Sequence, residues 1–66
     1  MKKEKYTLVG VDGNAYSVMG YVCSAMKREG KTKEQIDAYL TDAKSNDYYH
    51  LLAVSHVTLE ALNEGK

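Results

Sequence analysis

The residues of this chain best equipped for chemistry are one cysteine, two histidines, a Gly-Lys-Thr step and a loop of short polar residues. Cys23 is the only cysteine. A reactive thiol needs an electropositive, partly exposed setting and usually a histidine base. Cys23 instead shares helical spacing with Met19, Val22 and Met26, so it reads as a buried, inert thiol. His50 and His56 are six residues apart, about 240° around a helix, and cannot reach one metal from one face. His56 and Glu60 are four apart, but two ligands make no metal site, and the pair reads as a surface contact. Gly30-Lys31-Thr32 matches only the tail of a phosphate-binding loop. The earlier glycine such a loop requires falls at Ala25, inside a helix, so the step reads as a helix stop followed by a helix cap. Gly10-Val11-Asp12-Gly13-Asn14 leads into a helix N-terminus, where free amides favour an anion. It lacks the dinucleotide-binding fingerprint, and Asp12 would repel phosphate, so it reads as a tight turn plus an Asn cap. No pair of carboxylates is set up as acid and base. The expectation is a non-enzymatic protein without cofactor or metal.

Two features suit binding better than catalysis. Lys27, Arg28, Lys31 and Lys33 cluster at the first helix–helix turn, as candidate contacts for nucleic acid. The helices after that turn carry Glu34, Asp37, Asp42, Asp47, Glu60 and Glu64, which does not suit a recognition helix in a DNA groove. Nucleic acid is thus the second reading. The zero net charge conceals an asymmetry. Residues 1–33 hold seven Lys/Arg against three acidic residues, a net of +4, and residues 34–66 hold two against six, a net of −4. Halves that fold together would intermix these charges on a solvated surface. The second feature is six tyrosines with no Phe or Trp. Tyr16 and Tyr21 lie off the main apolar stripe of their helix, and Tyr48-Tyr49 cannot both face inward. Tyrosine at a surface offers a large contact area with a polar tip.

The elements that would position these residues begin with Tyr6–Val11, whose alternation and β-branched content predict a short strand. A lone strand leaves backbone groups without partners, so it must pair within the chain or outside it. Ala15, Val18, Met19, Val22 and Met26 predict a first helix from about Ala15 to Glu29, stopped by Gly30. Gly20 within it would permit close approach of another backbone. Thr32 through Gln35 is a capping box that opens a second helix with Ile36, Tyr39, Leu40 and Ala43 inward. Ser45-Asn46-Asp47 breaks it and caps a third, with Tyr48, Leu51, Leu52, Ser55 and Leu59 along one face. Ala53, Val54 and Val57 give that helix a second apolar side. His56–Ala61 alternates and is rich in β-branched residues. Helix is favoured there, with a second strand pairing to the first as the alternative.

A chain of 66 residues makes one small domain, which buries only about 60% of its unfolded surface. With no disulfide and no metal, oligomerisation or close packing must supply the remaining stability. No apolar run reaches the ~20 residues of a membrane span, and no secretory signal is evident, so a cytoplasmic location without membrane contact is expected. Residues 1–5 read as a basic flexible tail. The expected core is Leu8, Val18, Met19, Val22, Met26, Ile36, Leu40, Leu51, Leu52 and Leu59.

Residues Leu8-Val9-Gly10-Val11-Asp12-Gly13-Asn14-Ala15-Tyr16, Met19-Gly20, Ala25–Gly30, Ser45–Tyr48 and Leu51-Leu52 resemble a group of small, uncharacterised bacterial proteins, often phage- or plasmid-associated. These share a strand–Asp-Gly-Asn-Ala–helix opening, and some end in a short β-branched segment. The resemblance spans most of residues 8–52. It implies an accessory or regulatory role and supplies no activity, ligand or site residue.

The expected fold is therefore α+β, with one short N-terminal strand and three helices. The expected function is an interaction module that self-associates or docks on a protein partner. Its interface would be the strand edge and the second face of the third helix, through Tyr6, Leu8, Val9, Val54 and Val57.

Overall fold

Short-range signals set the start of each helix and the end of the first. The Asn14 side chain accepts the Tyr16 amide at 2.8 Å and starts α1, Ala15–Arg28. α1 closes in a Schellman motif, with the Lys31 N–H on the Met26 carbonyl and the Gly30 N–H on the Lys27 carbonyl. Gly30 sits there at φ 82°, where a side chain would be strained. The Thr32 hydroxyl accepts the Gln35 amide and the Gln35 side chain accepts the Thr32 amide, which opens α2, Lys33–Ala43. Asp47 accepts the His50 amide at 2.9 Å and starts α3, Tyr48–Glu64. The computed structural model describes residues 5–64, and no strand occurs among them.

The chain is thus all-α, and the α+β expectation is overturned. The physical reason lies in how residues 6–11 satisfy their backbone. The Tyr6 N–H donates to Asn63 Oδ1 at 2.9 Å, and Asn63 Nδ2 donates to the Tyr6 carbonyl at 2.9 Å. One side-chain amide from α3 thereby makes the paired donor–acceptor contact that a neighbouring strand would have made. The Thr7 N–H goes to the Tyr21 hydroxyl at 3.2 Å. Leu8–Val11 then closes as a β-turn, with the Val11 N–H on the Leu8 carbonyl at 3.0 Å. Gly10 occupies the third turn position at φ 85°, which ends any extended run. The alternative second strand also fails, because residues 56–61 lie inside α3.

The core is made by Val18, Met19, Val22, Ala25 and Met26 of α1, Ile36, Tyr39 and Ala43 of α2, and Leu51, Leu59 and Leu62 of α3. Tyr6 covers it and is only 4% exposed. Leu8, Leu40 and Leu52, expected in the core, are half-buried against it. The Tyr39 hydroxyl and Ser55 Oγ form a buried 2.5 Å hydrogen bond between α2 and α3, so neither is left unpaired in an apolar interior. Gly20 is not a close-approach point. It is exposed, and a Cβ there would meet nothing within 4 Å.

α1 and α3 run in the same direction. At one end the Tyr48 hydroxyl donates to the Gly13 carbonyl just ahead of α1. At the other end Tyr6 is gripped by Asn63 of α3 and by Glu29, which closes α1. α2 connects them through short links and packs on both. The N-terminal segment therefore crosses from the C-terminal ends of α1 and α3 back to their N-terminal ends.

Candidate functional site

The end where α1 and α3 begin holds an apolar groove of about 280 Å³. All three helices contribute to it. α1 presents Ala15, Tyr16 and Met19, the end of α2 presents Ala43 and Lys44, and α3 presents Tyr48 and Leu51. The shape follows from residue size. Ala15 and Ala43 are too small to fill the angle between the helices, so the groove reaches down to narrow strips of the otherwise buried Met19 and Leu51. Tyr16 stands at the margin and is 80% exposed. Tyr48 is held by its bond to the Gly13 carbonyl, and the Tyr49 ring packs edge-on against it with centroids 6.3 Å apart. Tyr49 is itself 78% exposed.

The α2–α3 link beside the groove is rigidly pinned. His50 Nε2 lies 3.0 Å from the Asp42 carbonyl and 3.1 Å from its carboxylate. Both are acceptors, so Nε2 carries the proton, and His50 fastens the end of α2 to the start of α3. The histidines thus act structurally, with His56 Nε2 paired to Glu60 at 3.3 Å on the surface of α3. Among the described residues no group of three or more His, Cys, Asp or Glu is placed to hold a metal ion. No helix of the described residues is long and apolar enough to cross a membrane. Burial pushes the Cys23 thiol upward, which disfavours the thiolate a nucleophile needs.

The residues expected to form a protein interface are dispersed. Tyr6 is buried, and Leu8 and Val54 are half-buried against the core, so none of the three offers a free apolar face. Val9 and Val57 remain exposed, at 86% and 62%. The open strand edge expected to present Tyr6 and Leu8 does not exist among the described residues. The four cations Lys27, Arg28, Lys31 and Lys33 are all exposed around the α1–α2 turn. Their environments differ: Lys33 faces Asp37 at 4.0 Å, whereas Arg28 borders a small cavity beside the N-terminal segment. Lys5, expected in a flexible tail, is docked. Its ammonium lies 2.9 Å from Glu29 and 5.6 Å from the Tyr6 ring centroid, and the carboxylate holds its proton affinity above the ordinary lysine value. Residues 1–4 of that tail lie outside the described residues.

The groove tyrosines were visible in the sequence only as a surplus. Tyr16 falls off the apolar stripe of α1 and Tyr48-Tyr49 cannot both be buried, which marks surface rings without saying that Tyr16 and Tyr48 meet at one groove. No family model matches this chain, and no curated protein or solved structure matches it either.

Proposed function

We propose that this protein is a small, non-enzymatic interaction module whose docking surface is the groove flanked by Tyr16, Tyr48 and Tyr49. The observation that carries this reading is two exposed tyrosines, Tyr16 and Tyr48, lining an apolar cleft where the three helices meet, with the exposed Tyr49 ring packed on Tyr48. Exposed aromatics around a desolvated pocket are the usual source of binding energy between proteins. The cleft falls just short of the ~300 Å³ at which small-molecule sites begin, which suits one or two anchoring side chains better than a whole metabolite. The occupant is a segment of a partner protein that inserts apolar anchors against Met19 and Leu51 and lays polar groups on the tyrosine hydroxyls, Lys44 and Asp47. A single cysteine, which can form no internal disulfide, suits a reducing compartment.

The test is capture from nuclease-treated lysate of the native host by the wild-type chain and by the Y16S/Y49S double variant. Both positions are exposed, so the variant should keep the fold. A stoichiometric protein held by the wild type and lost from the variant supports the groove. Equal retention by both places the interface elsewhere. Nucleic-acid binding through Lys27, Arg28, Lys31 and Lys33 is the second reading, favoured by their common exposure at one turn. It requires retardation of DNA or RNA that weakens steeply with salt, and its absence at low salt removes that reading.

A further inference from the structure

At the opposite end of the molecule lies a second, smaller cavity of about 180 Å³. Its floor is one face of α1. Tyr21, Ser24, Ala25 and Arg28 recur at i, i+3, i+4 and i+7, so their side chains stand on the same side of the helix. Its other wall is Lys5 and Tyr6, held down by the Asn63 amide. The polar groups that meet there are nearly all donors. The Lys5 ammonium and the Arg28 guanidinium are permanent cations at neutral pH. The Tyr21 hydroxyl already accepts the Thr7 amide, so its own proton is directed elsewhere. The Ser24 hydroxyl stands one turn before Arg28. Ala25 is the small residue between them that leaves the space open.

Among the described residues, the charge is not balanced at this cavity. Glu29 lies beside the cavity, but its carboxylate is already engaged by the Lys5 ammonium at 2.9 Å and by the Tyr6 hydroxyl at 2.7 Å. Among the described residues, the two cations lining the cavity adjoin one carboxylate, that of Glu29, which favours an anion there. Arg28 is close enough to oppose the charge on Lys5.

We infer that this cavity is a binding site for a phosphate-class oxyanion, held by Lys5, Arg28, Tyr21 and Ser24. A tetrahedral phosphate presents several acceptor oxygens to a donor set of this kind, and the planar guanidinium matches two of them at once. The volume suits a phosphoryl group rather than a larger ligand. The site is separate from the tyrosine groove and does not depend on it. It also differs from a nucleic-acid surface, which would engage Lys27, Lys31 and Lys33 together with Arg28.

The experiment is an amide and arginine-side-chain NMR titration of the full chain with inorganic phosphate near pH 7, against chloride at equal ionic strength. Saturable shifts at Thr7, Tyr21, Ser24 and Arg28 are expected, with R28Q weakening affinity tenfold or more and S24A about threefold. K31Q should stay within about twofold of wild type. Both R28Q and S24A alter exposed side chains, so the fold persists and the comparison holds. A parallel titration with phenyl phosphate identifies the source. Tighter binding than inorganic phosphate assigns the site to a phosphoryl group on a larger molecule, and equal or weaker binding assigns it to the free ion. Shifts that chloride reproduces, that never saturate, or that persist unchanged in R28Q overturn the site.

Discussion

Asn63 is the residue on which the N-terminal segment depends. Its side chain takes both the N–H and the carbonyl of Tyr6, at 2.9 Å each, across 57 positions of sequence. Asn63→Ala removes both bonds and leaves partly buried backbone groups to find water. The expected cost is about 1–2 kcal/mol in urea denaturation, with faster hydrogen exchange at Tyr6 and Thr7 and unchanged exchange in α2. Ser55 and Tyr39 pose a similar dependence in the core. Ser55→Ala strands the Tyr39 hydroxyl in an apolar interior and should cost about 1–3 kcal/mol, while S55A/Y39F should cost less than the two single changes added together. Additive losses would show that the bond contributes nothing. The same two tyrosines set the alkaline limit of the fold. The hydrogen bond to Glu29 raises the Tyr6 hydroxyl above the ordinary tyrosine value, and burial raises Tyr39. Both raised values mean that the protonated hydroxyl belongs to the folded state. Their stabilisation is complete below about pH 10 and is lost as pH rises through the folded values. Denaturation midpoints should hold steady up to about pH 10 and fall as the pH rises further.

The helices were legible because each announces itself locally. Asn14, the Thr32–Gln35 capping box, Gly30 and Asp47 each act within four residues of where they stand, and each sits at the boundary it signals. Tyr6–Val11 carries the pattern of a strand without being one, because a period of two says only that side chains alternate. It does not say whether a second strand is present to complete the ladder. Gly10 at a positive φ and an asparagine from the far end of the chain decided the matter, and no local pattern connects them. The candidate site shared that difficulty. The basic turn was legible as a cluster, but its division between an Asp37 pair and the Lys5 cavity was not. Neither was the meeting of Tyr16 with Tyr48, which needs α1 and α3 to run in parallel. Gly20 is a further case, since a mid-helix glycine suggested a close crossing where the structure has open space. Gly20→Ala should therefore stabilise the protein by about 0.5–1 kcal/mol, measured as a higher denaturation midpoint at unchanged slope. A loss of stability would indicate that a neighbour approaches this point after all.

As a whole, the molecule is a thin helical slab, its Cα atoms spanning 34 × 26 × 15 Å. A slab this thin has little interior, and the chain compensates by sealing its open side with Tyr6 and by placing a buried hydrogen bond between α2 and α3. The two ends then differ in character. Where α1 and α3 begin, small residues open an apolar groove beside three tyrosines. Where they end, cations and hydroxyls surround a second cavity. The first of these is the surface proposed to engage a protein. It is tested most directly by recording amide chemical shifts of the labelled chain as its captured partner is added. Perturbations are expected to centre on Ala15, Tyr16, Met19, Ala43, Tyr48 and Leu51, with the Y16S variant binding at least tenfold more weakly. Perturbations confined to Lys27–Lys33 or to the Val57 face, with Y16S binding as the wild type does, would contradict it.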